Sequence, residues 1–340
     1  MPKVDICSKA GPATISYTIS TPFATSVNSI DRSIPTVIFL HPVYVARAIF
    51  HNQFADPNIR RFNLVALDFR LHGQTKGTVP LDWNSSYAAD DVYRFMEALK
   101  LPPCHFFGIS KGSSIALQLS IEHPDKVLSL FLVSPLPFIE DEVVASGRQE
   151  IFECFAECAP EGSTSIDDSA MRDAVFGALD FGFNRSEASI VNALVQLTVP
   201  DILDHIILPG RLEELRAASV TFFVSGQPHT ASEFKRVKCP VHLVHCGGDI
   251  AYPLECVEEI QNLFEKVGKS VQLTQVPDAP HFGPVTHRED FNGLFLEWLE
   301  EYASADVVPA NRNIKSPFEE DLMKHGLGDD EDSDDELVPI

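Results

Sequence analysis

Six short apolar runs, separated by amphipathic stretches, constrain the fold of this chain more than any other feature. They are PTVIFLHP (35–42), FNLVALDFRLHGQT (62–75), CHFFGIS (104–110), VLSLFLVSPLP (127–137), CPVHLVHCGGD (239–249) and SVQLTQVPDAPH (270–281). Each is rich in Val, Leu, Ile or Phe, and each is bounded by Gly, Pro or Asp. Runs that are apolar on both faces suit strands covered on both sides, which is the situation of a parallel sheet. The stretches between them have apolar residues spaced three and four apart, as on one face of a helix. SSYAADDVYRFMEALK (85–100) places Tyr87, Val92, Phe95, Met96 and Leu99 on one side. GSSIALQLSIEHP (112–124), LECVEEIQNLFEKVG (254–268) and REDFNGLFLEWLEEYA (288–303) read alike. Strand alternating with helix predicts an α/β domain with a mostly parallel central sheet flanked by helices. ATISYTIST (13–21) alternates instead, which predicts an antiparallel edge strand.

One segment breaks the alternation. Residues 138–236 are helical in pattern throughout, and almost a hundred residues are too many for a connection between two strands. They predict an inserted helical subdomain. The expected organisation is a core from 1–137 and 237–303, a helical cap at 138–236, and a linker with an acidic tail at 304–340. The net charge is −23. The last 23 residues hold ten acids and one lysine, so they account for −9 and leave −14 for the rest. Such a surface opposes non-specific nucleic-acid binding and attachment to anionic lipid. The stretch from 318 onward is too acidic to pack and is expected to be disordered, a solubilising appendage or a candidate partner-binding tail. No apolar run is long enough to span a membrane, and the N-terminus has no secretory h-region. Seven scattered cysteines imply no disulfide framework. A cytoplasmic protein is the resulting expectation.

Residues 106–114, FFGISKGSS, place a serine between two glycines, after a strand and before a helix. In such a nucleophile elbow the chain turns so sharply that side chains two before and two after the serine would meet backbone. A serine needs a base, and the base needs orientation. Downstream, HCGGDIAYP puts Asp249 after the next-to-last strand, and PDAPHFGPV puts His281 after the last. With Ser110, Asp249 and His281 in that order, the chain resembles the α/β-hydrolase superfamily, in its capped, esterase-like serine-hydrolase branch. The resemblance covers roughly residues 10–303. It includes His41 at a strand end, the DFRLHG turn with Asp68, Arg70 and Gly73, and the helical insertion, which in that family is a lid.

The resemblance implies Ser110 as nucleophile, His281 as general base and Asp249 as the residue that holds the imidazole tautomer. It implies an oxyanion hole from the backbone N–H groups of Val43 and Lys111. Relatives with epoxide-hydrolase or dehalogenase chemistry carry Asp at the elbow, so Ser110 points to acyl chemistry. Three positions depart from the family. Pro42 stands where Gly is usual, which restricts the oxyanion loop. Pro280 precedes the histidine where Gly is common. Lys111 puts a cation at a helix N-terminus against the dipole; a salt bridge to a nearby acid is the expected compensation, and contact with an acidic or polar substrate group is the alternative. His41 is expected to shape the oxyanion loop, Asp68 and Arg70 to tie turns together, and His245 to be structural. The lid phenylalanines (Phe152, Phe155, Phe176, Phe181, Phe183) either line a pocket or, as a helical stripe, fill core.

The predicted function is hydrolysis of a carboxylic ester, thioester or lactone of a small, largely apolar molecule. The same triad also serves C–C bond hydrolases and acyltransferases, and a non-catalytic receptor on this fold is the alternative from another class. No metal or nucleotide motif appears, so no cofactor and no metal are expected. The expected partner is a small-molecule acyl substrate.

Overall fold

The computed structural model describes residues 2–158, 167–206, 211–226, 229–303 and 308–328. The strands are β1 (Lys3–Ser8), β2 (Gly11–Thr21), β3 (Ala24–Val27), β4 (Thr36–Leu40), β5 (Asn63–Leu67), β6 (Lys76–Gly77), β7 (Cys104–Ile109), β8 (Val127–Val133), β9 (Val241–Cys246) and β10 (Gln272–Val276). They form one sheet in the order β1-β2-β5-β4-β7-β8-β9-β10, with β3 and β6 paired to β2. Every pair from β5 through β10 is parallel, while β2 runs antiparallel to β1 and β5. The six apolar runs are the six parallel strands. The alternating run at 13–21 is not an edge strand. β2 lies between β1 and β5, and its second half is buried throughout. Lys3–Ser8 covers the edge, a strand too polar and too short to stand out in the sequence.

The helices are α1 (His51–Ala55), α2 (Ser85–Ala98), α3 (Lys111–Glu122), α4 (Glu142–Cys158), α5 (Asp168–Phe183), α6 (Ser189–Ile206), α7 (Arg211–Arg216), α8 (Phe222–Val224), α9 (Ala231–Phe234), α10 (Leu254–Lys266), α11 (Arg288–Tyr302) and α12 (Glu319–Lys324). The Asn84 side chain caps α2 by accepting from the Ser86 and Tyr87 N–H groups, two donors that the first turn leaves unpaired. Helix α11 lays Phe295 against Phe39, Phe107 and Phe131 of three adjacent strands. These rings form the centre of the core on that face. The six helices from α4 to α9 all lie between β8 and β9, where the inserted helical segment was predicted.

Residues 318–328 differ from the expected disordered tail. Phe318 and Leu322 are buried, and the Phe318 ring packs on Phe54 at 5.2 Å. Two apolar side chains one helical turn apart suffice to dock α12 on the body despite its acidic neighbours. Upstream, Arg60 and Arg61 donate to the carbonyls of Lys315 and Val308 and hold the connection to the core. The rest of the acidic tail, 329–340, lies outside the described residues. Among the described residues no helix is long and apolar enough to cross a membrane, and no group of His, Cys, Asp and Glu side chains is placed to hold a metal.

Two features of the topology position the site. β5 and β7 flank β4, so the chain reverses its direction of travel across the sheet between β4 and β7. A crevice opens at the carboxyl ends of the strands at such a point. His41 and Val43 follow β4, and Ser110 follows β7.

Candidate active site

Ser110 is the first constraint. Its φ of +53° and ψ of −115° lie outside the regions that L residues favour, a strain held in place by its surroundings. The Ser110 N–H donates to the Val133 carbonyl at 2.9 Å, and the Ser113 hydroxyl bridges the carbonyls of Gly108 and Val133. A Cβ on Gly108 would lie 2.7 Å from the carbonyl of Gly112, and one on Gly112 would run into the Leu40 carbonyl oxygen. The two glycines are therefore required by contacts with backbone, which cannot swing aside.

His281 completes the pair. Ser110 Oγ lies 2.8 Å from His281 Nε2, and His281 Nδ1 lies 2.5 Å from Asp249 Oδ2. All three side chains are buried or nearly so. The other Asp249 oxygen accepts from the N–H groups of Ala251 and Tyr252, each at 3.0 Å. Asp249 thus makes an ordinary Asx turn and holds the histidine at the same time. Burial pushes its carboxyl up, but His281 and the two N–H groups outweigh that and hold it below the usual carboxylate range. The glycines before it are again steric: a Cβ on Gly248 would sit 2.6 Å from the Asp278 carbonyl oxygen. The loop after β10 is secured by Ser134, whose Oγ donates to the His281 carbonyl at 2.8 Å.

On the other side of the crevice, the N–H groups of Val43 and Lys111 have no hydrogen-bond acceptor among the described residues. Val43 and Ser110 line the same cavity. Pro42 does not disturb the preceding histidine: the His41 ring lies 2.7 Å from the Pro42 carbonyl through Nδ1, and Nε2 accepts from the Phe69 N–H at 3.0 Å. Burial lowers the His41 pKa to about 3, so the ring is neutral and can serve as that acceptor. The strain appears two residues after Pro42, at Tyr44, whose φ is +70°. His41 therefore braces the loop. Asp68 pairs with Arg47, Arg70 pairs with Asp91 at 2.7 Å, and His245 Nε2 contacts the Tyr252 carbonyl at 3.1 Å. Each ties turns together.

Lys111 overturns an expectation. It makes no salt bridge among the described residues. Its side chain is buried, Nζ donates to the Ala218 carbonyl at 2.9 Å, and the ammonium sits 4.6 Å from the centre of the Phe222 ring. Ala218 belongs to the wide turn of π-helix at Ala217–Thr221. Among the described residues, the helical insertion offers the ammonium a carbonyl and an aromatic face. Burial, helped by repulsion from Arg148, lowers the Lys111 pKa to about 7. The sign of the consequence is fixed. Between about pH 7 and the ordinary lysine value of 10.5 the unfolded chain holds a proton that the folded one has shed, so stability rises with pH there. Lys111→Met, similar in length and uncharged, is expected to be more stable than the wild type near pH 7. The advantage should shrink steadily as pH approaches 10.5. Denaturant midpoints of both proteins across this range check it, and a pH-independent difference would contradict it.

The sequence reading missed Arg148, Glu140 and Tyr252. Arg148 on α4 donates through Nε to Glu140 at 2.7 Å and through Nη2 to the Tyr252 hydroxyl at 2.5 Å. All three are mostly or wholly buried, and Tyr252 also stacks near the His281 ring at 5.0 Å. No periodicity marks such a cluster, since Glu140 and Arg148 come from the start of the insertion and Tyr252 from the loop after β9. The lid phenylalanines divide. Phe181 lines the cavity, Phe155 stacks on Tyr44 at 6.0 Å, Phe183 packs against Phe282, and Phe176 is partly exposed elsewhere.

A family model for the alpha/beta hydrolase fold matches residues 35–287. Among curated proteins, the chain is 23% identical over 246 residues to a protein of Serratia proteamaculans called a putative carbamate hydrolase RutD, covering 72% of this chain and 84% of that one. Among solved structures it is similar to a thermophilic esterase from Thermogutta terrifontis, with a TM-score of 0.66 at 16% identity over 89% of this chain and all of the other. It is likewise similar to the enol-lactonase from Burkholderia xenovorans LB400, with a TM-score of 0.66 at 14% identity over 88% of this chain and all of the other. The matched span runs from the start of β4 to the loop beyond His281, and this chain belongs to the alpha/beta hydrolase fold family.

Proposed function

We propose that this protein is a serine hydrolase that cleaves a carboxylic ester, thioester or lactone of a small, largely apolar molecule. The observation that carries the reading is the hydrogen-bonded chain Ser110–His281–Asp249 at a strained elbow. It opens on a cavity of about 180 Å³ lined by Val43, Val144, Ile151, Phe181 and Phe282. Ser110 Oγ attacks the carbonyl carbon while His281 Nε2 takes its proton. Asp249 orients the ring and stabilises the imidazolium. The negative charge that develops on the carbonyl oxygen is met by the Val43 and Lys111 N–H groups. His281 then protonates the leaving group, and water activated by the same histidine releases the acid from Ser110. The insertion from α4 to α9 is the lid of this cavity, to which α4 contributes Arg148 and α5 contributes Phe181. Relatives named for ester, lactone and carbamate cleavage support acyl chemistry.

A fluorophosphonate probe tests the reading. The wild type is expected to take up one probe per chain, mapped to the peptide that contains Ser110, and Ser110→Ala none. A wild type that resists the probe, or an alanine variant that is labelled as readily, would overturn it.

A further inference from the structure

Among the described residues, Arg148 is the one cavity-lining residue that carries a full charge. It is 4% exposed. Two of its three nitrogens are committed, Nε to Glu140 and Nη2 to Tyr252, and the Phe223 ring covers one face of the guanidinium at 3.5 Å. Nη1 has no hydrogen-bond partner among the described residues, yet it is not among the fully buried, unpartnered polar atoms. It therefore keeps some open space, and Arg148 borders the cavity that holds Ser110 and His281.

Lys111 and Arg148 lie on consecutive aromatic residues of the insertion, Phe222 and Phe223. Glu140 pairs with Arg148 through Nε, and Nη1 is left without an acceptor among the described residues. A planar guanidinium that offers such a nitrogen beside a mostly apolar cavity is matched by a carboxylate, which accepts a charge-assisted hydrogen bond from it.

From this we infer that the substrate carries a carboxylate in addition to the acyl group that is cleaved, and that Arg148 is the residue that binds it. The inference rests on the serine-hydrolase reading above and narrows it from apolar esters to half-esters and related monoanions. Glu140 and Tyr252 fix the guanidinium so that its remaining nitrogen faces the ligand. The apolar wall then fits the carbon chain between the two ends of the substrate.

Two matched pairs of esters test it. In one, para-nitrophenyl hydrogen adipate is compared with para-nitrophenyl hexanoate, which places the carboxylate on the acyl side. In the other, para-acetoxybenzoate is compared with phenyl acetate, which places it on the leaving group. The wild type is expected to favour the charged member of one pair in kcat/KM by about tenfold or more, the scale of one charge-assisted hydrogen bond. Arg148→Met should lose that preference by lowering the charged member alone, and Arg148→Lys should keep part of it. Should Arg148→Met fail to fold, the monoamide of adipic acid against hexanamide as competitive inhibitors of the wild type tests the acyl-side arm, because the two differ by one carboxylate. No preference in either pair, or an equal fall for both members in Arg148→Met, would overturn the inference and leave a purely structural arginine. Failure of every ester together with absence of fluorophosphonate labelling would instead overturn the serine-hydrolase reading itself.

Discussion

Ser110→Ala is expected to lower kcat for a neutral ester by about ten-thousand-fold or more, and His281→Ala by a comparable factor. The double variant should be no worse than either single one. The reason is that the two side chains act as one device, joined by the 2.8 Å contact between Oγ and Nε2. Serine without its base is a weak nucleophile, and the base without serine has no proton to take. What survives in all three variants is whatever the oxyanion N–H groups and the cavity contribute. Hydrolysis of para-nitrophenyl butyrate by the two single variants and the double variant, with circular dichroism to show that each is folded, measures the effect. Losses that multiply in the double variant would mean that the residues act separately, and a single variant with near wild-type turnover would remove that residue from the mechanism.

Gly112→Ala is expected to cost about 3 kcal/mol of stability or more and to abolish labelling of Ser110 in whatever remains folded. The added methyl would meet the carbonyl oxygen and carbon of Leu40. Leu40 ends β4, which is hydrogen-bonded on both sides to β5 and β7, so neither the strand nor the helix that follows Ser110 has room to retreat. Overpacking is costly where neighbours are backbone, since no rotamer change relieves it. Gly147→Ala on α4 is the matched control. A Cβ at Gly147 meets nothing within 4 Å, so that change should be neutral or mildly stabilising. Urea denaturation of the three proteins reads the difference. An unchanged midpoint for Gly112→Ala would refute the steric account of the elbow.

The six parallel strands were legible because strands covered on both faces have no polar face, and the run of apolar residues shows it directly. Ser110, Asp249 and His281 were legible because each sits just beyond one of those strands, where the chain must turn and where Gly, Pro and Asp mark the turn. β1 was not legible. KVDICS is half exposed and carries charges, so only its pairing with β2 makes it a strand. The first turn of the tail was misread for a related reason: composition averages over many acids, whereas docking needs only Phe318 and Leu322 to find a surface.

Lys111 and Arg148 belong to a different class of information. The sequence placed a cation beside Ser110 and suggested a carboxylate partner for it, because in an exposed helix turn that is the simplest compensation. In the folded protein the insertion covers this position and supplies the Ala218 carbonyl and the Phe222 face instead. Arg148 lies in α4 and Glu140 just before it, while Tyr252 lies in the loop after β9, 104 residues on from Arg148. Local patterning determined the sheet, the elbow and the order of Ser110, Asp249 and His281 at strand ends, since these follow from the period of burial and from steric limits within a few residues. The charge and lining of the cavity were decided only when distant segments were packed together, because a buried charge takes its partner from whatever the fold brings within reach.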